Sequence, residues 1–175
     1  MSALAVHSEA AKPFNAAERM LRAAVGRHFT ASVIATGSDS TPVDAIWVRK
    51  GVCVGCSEHK VRTHSRQQMR AWGETYLITA KKLTDGLSVS RLLSVPFYVV
   101  ALLIPDDMCY AWHITDEGSW EQRETKTQNT CEGGVAVRKN AFLDFQKADA
   151  FPLRPISQFR SGKDVAEFDR LAKGV

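Results

Sequence analysis

The residue types best suited to chemistry lie in the segment Val43 to Arg62. The pattern there predicts two strands joined at Lys50-Gly51, with Asp44 at the start of the first strand and Glu58 and Lys60 near the end of the second. Side chains alternate between the faces of a strand, so Glu58 and Lys60 face the same way, and antiparallel pairing can bring Asp44 to the same end of the sheet. Two carboxylates would supply the oxygen ligands that Mg²⁺ prefers, and an ammonium could orient a water or stabilise a phosphate. The spacing therefore predicts a divalent-cation site suited to phosphate chemistry.

Basic residues cluster from the end of the second of these strands onward. The chain carries a net charge of +4 and has a pI near 9.0, which favours an anionic partner. From His59 to Arg91 there are seven Lys or Arg residues against Glu74 and Asp85 alone. A run of this kind is often only a solvated face, but this one begins at the proposed cation site, where contacts with a nucleic-acid backbone would be needed. The candidates for those contacts are Arg62, Arg66, Arg70, Lys81 and Lys82.

The composition is that of a soluble protein with one domain. At 175 residues and 45% hydrophobic, the chain can bury a sizeable core. The N-terminus has no uninterrupted apolar run of the kind that a signal peptide needs, and the longest apolar run, Phe97 to Ile104, is too short to span a bilayer. Four cysteines without a secretion signal indicate reduced thiols. We therefore expect a cytoplasmic protein with no membrane partner.

Hydrophobic periodicity and turn residues divide the chain into helices and strands. Residues 1–14 are expected to be a loose leader, residues 15–150 the domain, and residues 151–175 a tail with a short helix. Asn15 is expected to cap the first helix, with Glu18 three residues on. The other expected helices are Thr63 to Trp72, Asp85 to Ser94 and Gly162 to Lys173. The expected strands, besides the two central ones, are Phe29 to Thr36, Thr75 to Ala80, Phe97 to Ile104, an edge strand at Met108 to Thr115, and short strands near Val135 to Val137 and Ala141 to Phe145.

The order of these elements, with Pro42-Val43-Asp44 and Glu58-His59-Lys60 on the central strands, resembles the PD-(D/E)xK nuclease superfamily over roughly residues 15 to 115. That superfamily includes archaeal-type Holliday junction resolvases, type II restriction enzymes and many phage and repair nucleases. The resemblance implies an α/β fold with a restriction-endonuclease-like core, in which a mixed central β-sheet is flanked by helices in the order αβββαβαβ. A strand–helix–strand unit favours parallel pairing, which agrees with a mixed sheet.

The resemblance also implies roles for the central residues. Asp44 and Glu58 would bind Mg²⁺ or Mn²⁺ together with the backbone carbonyl of His59, and Lys60 would assist the hydrolytic water. The implied function is that of a metal-dependent endonuclease hydrolysing phosphodiester bonds in DNA, double-stranded or branched. Cutting both strands with one site per subunit would require two sites, which makes a homodimer an expected assembly.

The resemblance implies two further roles, and the chain departs from the motif at two positions. Glu18 would correspond to a helix-borne glutamate of the superfamily, and Gln68 or Gln67 to a glutamine in the helix after the lysine strand. The middle residue of the Glu-x-Lys motif is usually apolar and faces the core, whereas this chain has His59 there. In addition, Val43 intervenes between the proline and the aspartate of the first motif.

Two other interpretations remain open. Cys53 and Cys56, with His59 and His64, have short spacings that zinc ligands use, and would make a small zinc-binding nucleic-acid-binding protein. An extended strand places Cys53 and His59 on one face and Cys56 on the other, which disfavours this site, and the thiols would then pack as small apolar side chains. The second alternative is a catalytically inactive fold that binds DNA or a protein partner. Whether the two carboxylates and the lysine converge would discriminate between these interpretations.

Overall fold

The computed structural model describes residues 12–37, 41–128 and 135–153, together with positions 166, 169 and 170. Most of the predicted leader, Cys131 and nearly all of the predicted C-terminal helix lie outside the described residues. Within these ranges the cysteines Cys53, Cys56 and Cys109 are free thiols. No helix of the described part of the chain is long and apolar enough to cross a bilayer.

Helices and strands alternate over the first two thirds of the chain, and strands dominate after that. In chain order the elements are α1 (Lys12–His28), β1 (Ser32–Ala35), β2 (Ala45–Arg49), β3 (Val52–Arg62), α2 (Arg66–Arg70), β4 (Thr75–Thr79), α3 (Ala80–Leu93), β5 (Phe97–Leu103), β6 (Met108–Ile114), β7 (Glu121–Gln128), β8 (Val135–Asp144) and β9 (Asp149–Pro152).

A six-stranded mixed sheet forms the centre of the fold, in the order β1-β2-β3-β5-β6-β9. Strands β1, β2 and β3 pair antiparallel, β5 lies parallel to β3, and β6 and β9 continue antiparallel. The parallel pair requires a crossover, which the chain makes through α2, β4 and α3. The predicted α/β fold with a mixed sheet flanked by helices is therefore confirmed, although β4 belongs to a separate sheet of order β4-β8-β7.

Two helix starts differ from the sequence-based expectation. Helix α1 begins at Lys12, so Asn15 is not its N-cap, and the prediction was wrong by one turn. Pro13 is compatible with the first turn of a helix, which lets α1 begin before Asn15. Helix α3 begins at Ala80, five residues before the predicted start at Asp85. The early start buries Leu83 and Leu87 on one helical face.

The region after Ile114 contains more strand than the sequence indicates. The two short strands predicted near Val135 and Ala141 are one continuous strand, β8, which pairs with β7 along eight residue pairs. Strand β6 was expected at a sheet edge, but β9 pairs with its outer side. Leu153 N–H then donates a hydrogen bond to the Asp107 carbonyl at 3.0 Å. The sheet thus continues to Pro152, past the domain boundary expected at residue 150.

The core is divided by the central sheet into two apolar layers. One layer joins α1 to one face of the sheet, with Met20 and Leu21 packed among Trp47, Val100 and Leu102. The other layer joins α3 and the small sheet to the opposite face; its members include Tyr76, Leu83, Leu87, Phe97, Trp112 and Phe145. Burial on both faces explains why β5 is apolar along its whole length.

The contact between α3 and β5 leaves no room for a side chain at Gly86. A Cβ at this position would lie 2.1 Å from Cζ of Phe97. We therefore predict that Gly86→Ala lowers the free energy of unfolding by about 1–3 kcal/mol through overpacking, although alanine is the better helix former. Urea unfolding followed by tryptophan fluorescence measures this. The exposed Ser88→Ala on the same helix should change stability by no more than about 0.5 kcal/mol, and equal effects of the two variants would contradict the packing argument.

Candidate active site

The register between β2 and β3 places Asp44 opposite Glu58. Ala45 pairs with Ser57, so extending the ladder by one residue brings the two acidic positions side by side. Asp44 N–H donates to the Ser57 carbonyl at 2.9 Å, and the Asp44 carbonyl accepts from Thr36 N–H at 3.0 Å. Asp44 is therefore held by the strands on both of its sides, although it precedes β2.

The structure brings Asp44, Glu58 and Lys60 together at this point. Oδ2 of Asp44 accepts a hydrogen bond from the backbone N–H of His59 at 2.7 Å, which fixes the carboxylate against β3. Nζ of Lys60 lies 2.6 Å from Oε1 of Glu58 and 3.9 Å from Oδ2 of Asp44. The ammonium thus lies between the two carboxylates, on the sheet face that α3 covers.

Glu58 is fully buried, and a second lysine contacts it. Nζ of Lys82 lies 3.3 Å from Oε1 and 3.4 Å from Oε2 of Glu58. Burial raises the pKa of the Glu58 carboxyl, an effect that the charge of Lys60 opposes and that of Asp44 reinforces. We did not predict from the sequence that Lys82 belongs to this group, because it follows the end of the predicted strand Thr75 to Ala80. Helix α3 begins earlier than predicted, and this start turns Lys82 toward β3.

Glu18 lies at the rim of the same group. Its side chain is half-exposed, and its Oε2 is 3.9 Å from Nη1 of Arg22, one turn further along α1. Burial raises the pKa of the Glu18 carboxyl, and the negative charge of Asp44 raises it further, whereas Arg22 and Lys60 lower it. Glu18 therefore shares the electrostatic field of the centre. Arg22 is a further residue of this region that the sequence did not single out.

His59 faces the opposite side of the sheet from its neighbours Glu58 and Lys60. Its ring is buried, with Nε2 2.9 Å from Oγ of Ser57, and that hydroxyl accepts a hydrogen bond from Nε1 of Trp47 at 2.9 Å. Burial lowers the pKa of His59 to about 4, so the ring is neutral at pH 7. This polar contact accounts for a histidine where the motif usually has an apolar residue. Only the backbone of His59 reaches the carboxylates.

Gln68 and Gln67 are not brought to this group. Oε1 of Gln68 accepts a hydrogen bond from Ser65 N–H at 2.8 Å, and Gln68 N–H donates to Oγ of Ser65 at 3.2 Å. This reciprocal pair is a capping box at the start of α2. Gln67 is exposed on the same short helix. The helix itself is five residues long, shorter than the predicted Thr63 to Trp72.

The cations predicted to contact DNA have several different partners. Lys82 belongs to the centre, and Lys81 pairs with Asp85 at 2.6 Å. Arg66 and Arg70 both pair with Glu74, at 3.5 and 2.8 Å. The guanidinium of Arg62 lies over the ring of Tyr76, 5.4 Å from its centroid. Exposed ion pairs are weak, so these side chains can still exchange a carboxylate for a phosphate, but part of their charge is already compensated.

The zinc interpretation fails on the geometry of β3. Cys56 is buried in the layer that α3 covers, and the His59 ring lies on the other face of the sheet, so the two cannot bind one ion. His64 is exposed, with its ring 5.2 Å from that of Trp72. Over the described ranges, no three His, Cys, Asp or Glu side chains come together in a group that could hold a metal.

The donor set of the centre nevertheless fits a magnesium or manganese ion. Mg²⁺ in proteins is commonly bound through one or two carboxylates and keeps several of its waters, so it does not need a third acidic side chain. Asp44 and Glu58 provide two carboxylates on neighbouring strands, and the Lys60 ammonium already lies between them as a cation. Oxygen donors without thiolate or imidazole favour Mg²⁺ or Mn²⁺ over zinc.

Comparison with known proteins agrees with this architecture. No model of a known protein family and no curated protein matches the chain. Among solved structures, the chain is similar to Hjc, a Holliday junction resolvase from the archaeal hyperthermophile Archaeoglobus fulgidus. The TM-score is 0.50 at 13% sequence identity, over 79% of this chain and 90% of the resolvase. At this identity the similarity shows the fold: the chain has a resolvase-like, restriction-endonuclease-like fold.

The buried thiols give a test of the core and of the zinc interpretation. Burial raises the pKa of Cys56 to about 11 and that of Cys109 to about 12. At pH 8 only about one Cys56 thiol in a thousand is then ionised, so iodoacetamide should leave Cys56 and Cys109 unmodified in the native protein and modify both in urea. The half-buried Cys53 is the internal comparison and should react first. Peptide mass spectrometry measures the extent of modification of each cysteine. Protection of Cys53 by added Zn²⁺ would contradict our conclusion that these residues do not form a zinc site.

Proposed function

We propose that this protein is a metal-dependent nuclease of the PD-(D/E)xK type that hydrolyses phosphodiester bonds in DNA. The observation that carries the proposal is the convergence of Asp44, Glu58 and Lys60 on neighbouring strands. These are the residues that the motif designates, and the resolvase-like fold supports the same assignment. A chance arrangement of two carboxylates and a lysine would not be expected to coincide with both the motif and the fold.

Asp44 and Glu58 would hold the metal ion, together with the backbone carbonyl of His59. When bound, a divalent cation supplies a more acidic water and neutralises charge on the scissile phosphate. The chain keeps this set rigid: the N–H of His59 fixes Asp44, and the two ammonium groups hold Glu58. Such fixed positions matter because small displacements of catalytic groups reduce rates strongly.

Lys60 would orient the attacking water and stabilise negative charge on the phosphate. Its ammonium has three donors, so contact with Glu58 leaves others for water or for a phosphate oxygen. Glu18, at the rim, would hold water on the side of α1. We do not include Gln68, because a role at the centre would require it to leave the capping box of α2.

The proposed substrate is DNA, double-stranded or branched, and the proposed assembly is a homodimer. The solved structure that this chain is similar to is a Holliday junction resolvase, which supports a branched substrate. A single centre of the kind described here cuts one strand at a time. Two copies would therefore be needed to cut both strands of a junction or a duplex in a concerted way.

A catalytically inactive DNA-binding protein is the second candidate. The observation that favours it is the double compensation of Glu58 by Lys60 and Lys82. With two ammonium groups in contact, the buried carboxylate is balanced without a metal ion. A protein that had lost catalysis could keep this arrangement as part of its fold.

Cleavage of a labelled DNA panel separates these candidates. We predict that the protein cuts a linear duplex or a four-way junction with Mg²⁺ or Mn²⁺, and that EDTA or Glu58→Ala abolishes cutting, because either removes the cation site. Single-stranded DNA and RNA complete the panel. Binding of DNA without cutting on any substrate would favour the inactive fold, and cutting that survives in Glu58→Ala would place the active centre elsewhere.

The role of Lys60 can be tested separately from metal binding. We predict that Lys60→Ala lowers the cleavage rate by at least a hundredfold, a loss typical for removal of a group that positions or stabilises charge in the transition state. DNA affinity should change little, because one lysine among many contributes a small part of the backbone attraction. The exposed Lys139→Ala is the charge-matched control and should cut at the wild-type rate. Equal rates for the two variants would show that Lys60 has no catalytic role.

A further inference from the structure

A basic groove lies between α1 and the strands β1 and β2, outside the group of residues described above. It has a volume of about 790 Å³, within the range of ligand-binding clefts. Its lining includes the small residues Ala23, Gly26 and Ala31. A Cβ added at Gly26 would lie 2.8 Å from the Ala31 carbonyl, so the glycine keeps the helix close to the start of β1.

The charge of the groove has one sign. The described residues that line it include five cations and no aspartate or glutamate; the cations are Arg19, Arg22, Arg27, Arg49 and Lys50. A concave surface lined by charges of one sign concentrates oppositely charged ligands.

Two of the arginines are anchored by backbone carbonyls. Nε of Arg49 donates to the Thr30 carbonyl at 3.0 Å, and Nη2 of Arg27 donates to the carbonyls of Pro152 and Leu153 at 3.1 and 2.9 Å. These carbonyl acceptors hold the two guanidinium groups in place. Side chains that are already ordered lose less conformational entropy when a ligand binds.

Arg22 connects the groove to the candidate centre. It lines the groove, and its guanidinium is also 3.9 Å from Glu18. Burial lowers the pKa of Arg22, while the charges of Glu18 and Asp44 raise it, which places both carboxylates within its electrostatic reach. The groove therefore adjoins the candidate centre at Arg22 and Glu18.

We infer that this groove binds the sugar–phosphate backbone of the DNA that flanks the bond to be cut. The inference rests on the proposed nuclease function, and it adds a second contact region that the basic run from His59 to Arg91 does not contain. The groove offers guanidinium and ammonium donors to phosphate oxygens, so it is suited to reading the backbone and not the base sequence. It therefore contributes affinity and orientation without sequence preference.

The test is the salt dependence of DNA binding in EDTA, where no cleavage is required. Anisotropy of a labelled duplex at several KCl concentrations gives the slope of log K against log salt. Arg19→Gln/Lys50→Gln removes two exposed groove cations and should reduce this slope by about 1.8, since each phosphate contact on a duplex contributes about 0.9. The control Lys139→Gln/Lys147→Gln loses the same charge at exposed positions outside both the groove and the basic run from His59 to Arg91, and should keep a slope close to the wild-type value.

Each outcome bears on the inference. A wild-type slope in the groove variant, an equal loss in both double variants, or no DNA binding by the wild-type protein would overturn it. If the double variant does not fold, the single variant Lys50→Gln, in an exposed turn, replaces it. This variant should reduce the slope of log K against log salt by about 0.9. Failure of the nuclease proposal looks different: DNA would bind with the predicted slopes, but nothing would be cut with any metal.

Discussion

The buried carboxylate of Glu58 is the charge that the rest of the domain has to accommodate. Moving such a group out of water costs several kcal/mol, and an ion pair in the interior recovers this cost only with good geometry. Here Lys60 approaches to 2.6 Å and Lys82 to 3.3 Å, yet burial still raises the carboxyl pKa. An apolar residue at this position would make a more stable sheet. The arrangement therefore favours a functional role for Glu58 over a structural one, since strained or costly groups concentrate at functional sites.

The position of this charge depends on one irregularity in the sheet. The ladder between β2 and β3 shifts by one residue after Trp47, so that Val54 has no partner on β2. Without this bulge Asp44 would lie opposite Ser57, and a register shift of one residue turns side chains to the other face. Gly55, beside the bulge, leaves room for the Trp47 ring, because a Cβ there would lie 2.9 Å from its Cε3. The bulge thus sets the register in which the two carboxylates meet.

The sequence predicts the parts of this structure that depend on local patterns. The apolar run at Phe97 predicts β5, and strand alternation predicts that Glu58 and Lys60 share a face; the structure agrees with both. Contacts between distant segments could not be predicted from the sequence. Strand β7 is polar on both faces and is formed by pairing with β8, which no periodicity reveals. Lys82 reaches the centre because α3 begins five residues earlier than predicted, with Leu83 and Leu87 packed into the core.

Charge balance at the centre implies that affinity for the proposed DNA substrate would have to come from elsewhere. Three carboxylates and three cations lie in the same electrostatic field and sum to a formal charge of zero: Glu18, Asp44 and Glu58 with Arg22, Lys60 and Lys82. A neutral group exerts little long-range attraction on a polyanion, and a bound divalent cation would add charge only locally. Steering requires a surface that carries a net charge. The residues that line the groove between α1 and β1–β2 include five cations and no carboxylate, and Arg22 belongs to both the groove and the centre. Binding and chemistry would then be performed by neighbouring sets of charges that share Arg22.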